Sequence, residues 1–206
     1  MNQEKVWDIL AKQWHNFRQL KFRPVYDFLE RYQLKKGRIL EIGCGNSRNL
    51  IPFAKLGFEC YGVDFSKKML EQSQKLSEKH DITLTLKEAN MIKLPYKDNY
   101  FDYVLHISSL HHLKSEEDIL KALNEAYRVL KPKGLMLLTV WNKLQLKFLM
   151  KSRELYVPWR LKGKSYGRFY HLFDYLELKR FIKKLDLEIL ESNILGKNLV
   201  FVLKKR

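Results

Sequence analysis

The chain has 206 residues, 46% of them apolar, enough to bury one full core and short for two domains. No run approaches the ~18 apolar residues of a membrane-crossing helix. Glu4, Lys5, Asp8 and Lys12 interrupt the N-terminal apolar residues, which excludes a secretory signal; Cys44 and Cys60 lack metal or disulfide-framework spacing, so a reducing cytoplasm is the expected compartment.

In chain order, residues 1–20 and 24–32 predict two helices, broken at Arg23-Pro24 because a residue before proline avoids helical geometry. Short apolar runs then alternate with helical patterns. Strands are expected at 38–42, 59–63, 82–86, 100–106 and 135–140, and helices at 48–56, 68–79 and 116–130. Such alternation with tight connections predicts an α/β fold, a parallel sheet with helices on both faces. Residues 187–195, the turn Gly196-Lys197-Asn198 and residues 199–203 predict a hairpin that closes the sheet with an antiparallel last strand. Residues 142–184 hold nine aromatic residues and read as a helical excursion over the sheet's edge.

Charge is segregated along the chain. The total is +16, yet residues 39–141 carry 14 basic and 13 acidic side chains. Residues 1–38 carry 9 and 4, and residues 142–184 carry 12 and 3. A lysine-rich genome would spread the excess evenly. Two basic flanks around a balanced core point to a polyanion, nucleic acid ahead of an anionic membrane surface or a merely solvated face.

Ligands of an open parallel sheet bind beyond the carboxyl ends of its strands. The first strand ends in Glu41-Ile42-Gly43-Cys44-Gly45, where glycines permit a tight turn and close approach of a ligand. The second ends in Asp64, whose carboxylate is suited to both ribose hydroxyls of a nucleoside; the alternative is a helix N-terminal residue beside Ser66. A dinucleotide fingerprint needs a third glycine where Arg48 stands. Glu41 instead suits a cationic ligand such as S-adenosylmethionine, its alternative being a strand-end acid bonding nearby amides.

The series Ile-Leu-Glu-Ile-Gly-Cys-Gly, Gly-Val-Asp-Phe-Ser, Leu-Pro-Tyr and Phe-Asp-Tyr-Val resembles the class I S-adenosylmethionine-dependent methyltransferases, from about residue 38 to 140. The resemblance implies their seven-stranded Rossmann-like sheet. It assigns the cofactor to Glu41, Gly43, Gly45 and Asp64, with Asn90 in place of the family's adenine-binding acid, and with Met91 and His106. Ser47 stands where the family often has a third glycine.

The segments Leu155-Tyr-Val-Pro-Trp-Arg-Leu-Lys-Gly163 and Gly167-Arg-Phe-Tyr-His-Leu-Phe173 resemble one branch, the tRNA methyltransferases of wobble 5-carboxymethyluridine. This branch includes the methyltransferase domain of the AlkB-like tRNA hydroxylase. Further matches are Trp141, Leu110-His111-His112 and residues 11–18; the branch's Pro-Trp-Pro reads Lys21-Phe22-Arg23 here. The resemblance implies transfer of a methyl group to the uridine carboxylate, with Arg18, His111, His112, Arg168 and His171 on the acceptor side. The histidines have core packing as their alternative. Trp159, Tyr170 and Phe173 are candidates to stack a base or to pack the insertion.

One domain is expected: N-terminal helices (1–37), cofactor core (38–141), basic aromatic insertion (142–184) and closing hairpin (185–206). The rival functions are a methyltransferase of a small molecule or lipid precursor, and a non-catalytic RNA-binding module. The third strand, expected at the sheet's edge and free of charge over 82–86, invites either cover by the N-terminal helices or strand addition by another protein. The resembled branch works with a small zinc-binding activator, the expected occupant of that edge.

Overall fold

The structure, a computed structural model, describes residues 2–206. Five parallel strands are β1 (Arg38–Ile42), β2 (Glu59–Asp64), β3 (Thr85–Glu88), β4 (Phe101–Ile107) and β5 (Leu130–Trp141). Ahead of them lie α1 (Gln3–Phe17) and α2 (Arg23–Arg31), and between them α3 (Ile51–Lys55), α4 (Lys67–His80) and α5 (Glu116–Val129). After β5 come β6 (Glu154–Leu161), β7 (Lys164–His171), α6 (Tyr175–Ile182), β8 (Leu187–Asn193) and β9 (Asn198–Lys205). The main sheet has the order β3-β2-β1-β4-β5-β9-β8, with β9 antiparallel to both neighbours. This is the predicted seven-stranded class I arrangement. Among the described residues no helix is long and apolar enough to cross a membrane.

Strand alternation divides the core. Ile39, Leu105 and Leu137 face α2 and α3, meeting Val25, Phe28 and Phe53. Leu40, Val104 and Leu138 face α5 and α6, meeting Ile119, Leu123, Leu178 and Phe181. Neighbouring residues thus fill opposite layers, as a pleated strand buried on both faces requires.

Two expectations are corrected. Residues 142–184 are not a helical excursion: only α6 is a regular α-helix there, and β6 and β7 form a separate two-stranded sheet. Its turn is Lys162-Gly163, both at positive φ (48° and 74°), the geometry of a tight hairpin turn. Leu155, Val157, Trp159 and Leu161 alternate along β6, a period of two masked by the density of aromatics and cations. Pro158 fits because β6 is a sheet edge.

The third strand also begins later than expected. Asp81 ends α4 in a left-handed conformation and the Ile82 N–H closes onto Ser77, which leaves 82–84 as connection. The edge strand therefore contains Lys87 and Glu88, with Glu88 paired to Lys67 at 3.5 Å. It carries the charges that discourage strand addition. The N-terminal helices pack elsewhere, α1 on α4 and β7, and α2 on the sheet.

Candidate active site

A cleft of about 700 Å³, counted to its open mouth, lies over the carboxyl ends of β1, β2 and β4. Glu41 enters it from β1. Its Oε1 accepts from Asn49 Nδ2 at 2.6 Å, and its Oε2 is buried with no partner among the described residues. Burial pushes the Glu41 carboxyl up to about 8, against the Asn49 bond and the nearby charge of Arg48, which lines the same cleft. Asp64 enters from β2. Its Oδ2 accepts the Gly45 N–H at 2.8 Å and its Oδ1 the Ser66 N–H at 2.9 Å. Burial raises Asp64 to about 6, against those two amides. The carboxylate thus fixes the glycine loop as well as facing the cleft.

The loop has no spare room. A Cβ on Gly43 would lie 2.4 Å from the Ser109 side chain, and one on Gly45 3.2 Å from the Trp14 ring. Ser47 adopts φ of 56°, a left-handed conformation that favours glycine, and bonds the Ser73 hydroxyl at 2.5 Å. That position explains why glycine suits it; the serine holds the same turn through a side-chain bond.

The remaining expected cofactor residues divide. Met91 lines the cleft. Asn90 is exposed and its Oδ1 accepts the Ile92 N–H at 3.2 Å, so the side chain closes its own turn. His106 is fully buried behind the cleft wall, 2.8 Å from Ser109 Oγ, and burial lowers it to about 3. It supports Ser109, which donates to Ile42 O at 2.7 Å and lines the cleft.

On the acceptor side, His112 lines the cleft from a one-turn 3-10 helix, Leu110–His112. Its Nδ1–H donates to Phe169 O at 2.8 Å, which leaves Nε2 as the free lone pair. Burial lowers His112 to about 4, so it is neutral. His111 points into the protein: its Nδ1 accepts the Trp141 N–H at 3.2 Å, and burial holds its pKa well down. Arg168 is buried among aromatic rings, 5.8 Å from Trp7, 4.7 Å from Trp159 and 5.4 Å from Tyr170. Its Nη1 donates to the Tyr170 hydroxyl at 2.9 Å, and its Nε has no partner among the described residues. Arg18 is exposed at the end of α1, its carbonyl accepting from Asn46 Nδ2 at 3.0 Å. His171 is turned away to a second groove, where its Nε2 pairs with Glu177 at 2.8 Å. Tyr170 and Phe173 are buried in packing, which removes them as free base-stacking surfaces.

Sequence reasoning missed part of the cleft. Trp7, Trp14 and Phe22 wall it from the N-terminal segment, and Asn49 holds Glu41. The signal was available: Trp7, Leu10, Ala11 and Trp14 share one face of α1 at helical spacing. The Asp8 carboxylate pins that helix by accepting from Ser66 Oγ at 2.6 Å.

The model of a methyltransferase domain matches residues 40–138. The demethylmenaquinone methyltransferase of Geobacillus stearothermophilus is 33% identical over 172 residues, 78% of this chain and 69% of that protein. The chain belongs to the class I S-adenosylmethionine-dependent methyltransferases. The tRNA (carboxymethyluridine(34)-5-O)-methyltransferase of Arabidopsis thaliana is 35% identical over 140 residues, 66% of this chain but only 32% of that protein. The PH0226 protein of Pyrococcus horikoshii shares the fold, with TM-score 0.77 at 19% identity over 89% of each chain.

S-adenosylmethionine fits this cleft. When bound it supplies an electrophilic methyl on a cationic sulfonium. Glu41, with its orphaned buried oxygen, is suited to the ligand's positive end, and Asp64 to its ribose. Gly43 and Gly45 keep the backbone low enough for close approach.

Proposed function

We propose that this methyltransferase esterifies a carboxylate on a modified wobble uridine of tRNA, giving the methyl ester of 5-carboxymethyluridine. The observation that carries the reading is Arg168, a buried guanidinium beside the cleft wall at Trp7, with an unpartnered Nε. A planar guanidinium is the natural holder of a carboxylate. The similarity to the plant tRNA enzyme supports the same substrate class.

The chemistry asks little of acid–base groups. A carboxylate is ionised at neutral pH, with a pKa near ~4, and loses no proton before it takes a methyl. Holding it in line with the methyl is the main task, and proximity alone is worth ~7–11 kcal/mol. Neutral His112 adds a lone pair at the cleft without a competing charge. Arg18 and Arg168 serve to orient the acceptor. The expected set also includes His111, which fixes the Trp141 backbone, and His171, which the Glu177 pair turns toward the other groove.

RNA is the proposed partner because two acid-free, cation-rich stretches meet near the mouth. Residues 9–26 and 155–173 each carry four Lys or Arg and no Asp or Glu. A zinc-binding activator is proposed only through the resemblance; at the β3 edge it would have to pair beside Lys87 and Glu88. A second reading, methylation of a lipid-quinone precursor, is favoured by the Geobacillus relative. A neutral quinol has no use for Arg168. Mass spectrometry of tRNA nucleosides from cells lacking the protein tests the choice: loss of a wobble methyl ester supports the first reading, and unchanged nucleosides overturn it.

A further inference from the structure

A line of aromatic rings runs outward from the cofactor cleft. It begins at Trp7 in the wall, passes the Arg168 guanidinium and continues to Trp159 on β6. It ends at Phe17, the last residue of α1, whose ring meets Trp159 edge-on with centroids 5.9 Å apart. Phe17 remains 65% exposed. Folding ordinarily places such a ring in the core; here it stands on the rim and is held there from both sides.

The holding contacts are specific. Trp159 Nε1 donates to Gln13 Oε1 at 2.5 Å, which locks the indole onto α1. The chain after Phe17 is tied to the cleft: Asn46 Nδ2 bonds Arg18 O at 3.0 Å, and Arg48 Nη1 bonds Leu20 O at 3.1 Å. Phe22, just beyond, lines the cleft itself. Arg18, Lys21 and Arg23 flank Phe17 on one side, and Arg160, Lys162 and Lys164 follow Trp159 on the other. Asp27 pairs with Arg23 at 2.6 Å and leaves the other cations of the two segments beside the aromatic faces, the makings of a single-stranded nucleic-acid platform.

We propose that the Phe17–Trp159 pair is the stacking platform for a base beside the acceptor nucleotide, and that it holds a single-stranded RNA loop across the cleft mouth. This rests on the tRNA reading and adds its recognition element. Double-stranded RNA has no free base face and is not a ligand of this platform. Trp159 is the fixed part, held by Gln13 and by the Arg168 guanidinium 4.7 Å from its ring. Phe17 is the exposed part and the one to test, because its removal leaves the core untouched.

The experiment measures binding of a 32P-labelled anticodon stem-loop and of a blunt duplex of the same length. It uses the full chain and the Phe17→Ala, Phe17→Leu and Phe17→Tyr variants, with S-adenosylmethionine affinity as the control. The expected result is stem-loop binding by the native chain, weakened about tenfold in Phe17→Ala and in Phe17→Leu and kept in Phe17→Tyr. Cofactor affinity stays unchanged in all four. Native-strength stem-loop binding by Phe17→Ala overturns the platform and leaves the tRNA reading standing. Full binding by Phe17→Leu assigns Phe17 to packing and also overturns it, as does a duplex bound as tightly as the stem-loop. No RNA binding by the native chain removes the tRNA reading itself.

Discussion

The two walls of the cleft are built on opposite principles. The sheet side places carboxylates at the cleft floor with little exposure: Glu41 and Asp64 are both buried and both raised in pKa. The side made by α1 and the β6–β7 hairpin sets cations among aromatic rings, with Arg168 buried between them. One wall awaits a cation and the other an anion. The proposed transfer from a sulfonium to a carboxylate would use that polarity, which arises from two stretches of chain with different charge balance.

The largest expected effect breaks the sheet wall. Asp64→Ala removes the carboxylate assigned to the ribose and frees the Gly45 and Ser66 amides that it now holds. Charge-assisted bonds are worth ~1.5–3 kcal/mol each, so S-adenosylmethionine affinity should fall about a hundredfold by calorimetry. RNA binding should persist, because the opposite wall is intact. Loss of both together in a folded variant would show that the walls are not separable.

The next effect strikes the other wall. Lys162 and Lys164 lie exposed at the hairpin tip. Reversing both to Glu should weaken tRNA binding by about thirtyfold at low salt and flatten its salt dependence, at roughly 0.7 in log–log slope per lost contact on single strands. Cofactor affinity should not change. Arg168 is unsuited to this test, because it is buried among aromatic rings and its reversal would disturb packing as well as charge. An unchanged salt slope in the double variant would take the hairpin tip off the RNA path.

The difference between the walls also explains what could be read from the sequence. The sheet, its strand order and the acid–glycine–acid site follow local rules: apolar runs of strand length, glycines at the strand end and a carboxylate at the next strand. Those residues act where their own strand puts them. The opposite wall is assembled from segments some 150 positions apart, such as Gln13 with Trp159 and Gln3 with Phe169. No periodicity announces such pairings. The hairpin was hidden by composition, although alternation from Leu155 to Leu161 and Lys162-Gly163 were present. Asn90 and His171 illustrate the limit of motif matching: the motif names a position along the chain, but the side chains there bond their own surroundings.

A third effect sharpens the claim that Glu41 awaits a cation. The carboxyl is neutral below about 8 in the free protein. Binding a cationic ligand requires its charged form, so binding releases a proton. S-adenosylmethionine affinity should rise about tenfold per pH unit from 6.5 toward 8 and level off above. Isothermal titration in buffers of different ionisation enthalpy would count the proton. In Glu41→Gln the pH dependence should vanish along with part of the affinity. A pH-independent native affinity would place the ligand's charge elsewhere.

The smallest effect is on the stability of the cofactor-free protein, and its sign differs on the two sides of neutrality. His106 and His112 are lowered to about 3 and 4, and His111 is also lowered, against 6.5 unfolded. Groups with depressed folded pKa stabilise fully above 6.5 and lose that contribution as pH falls. Glu41 and Asp64 are raised, so their contribution is complete below their unfolded values near 4 and is lost as pH rises through about 8 and about 6. Between about 4.5 and 6 three imidazoles oppose two carboxyls, so stability should increase with pH. Above 6.5 only Glu41 still titrates, so stability should decline toward 8. The melting temperature should therefore peak near pH 6–7 and fall by a few degrees on either side. Glu41→Gln should abolish the alkaline decline alone and leave the acid limb in place. Saturating S-adenosylmethionine should offset the same limb, because the ligand supplies the charge that the buried carboxylate lacks. A melting temperature that climbs steadily from pH 6 to 8 in the free protein would mean that Glu41 is already charged there, and the proton release expected on S-adenosylmethionine binding would be absent.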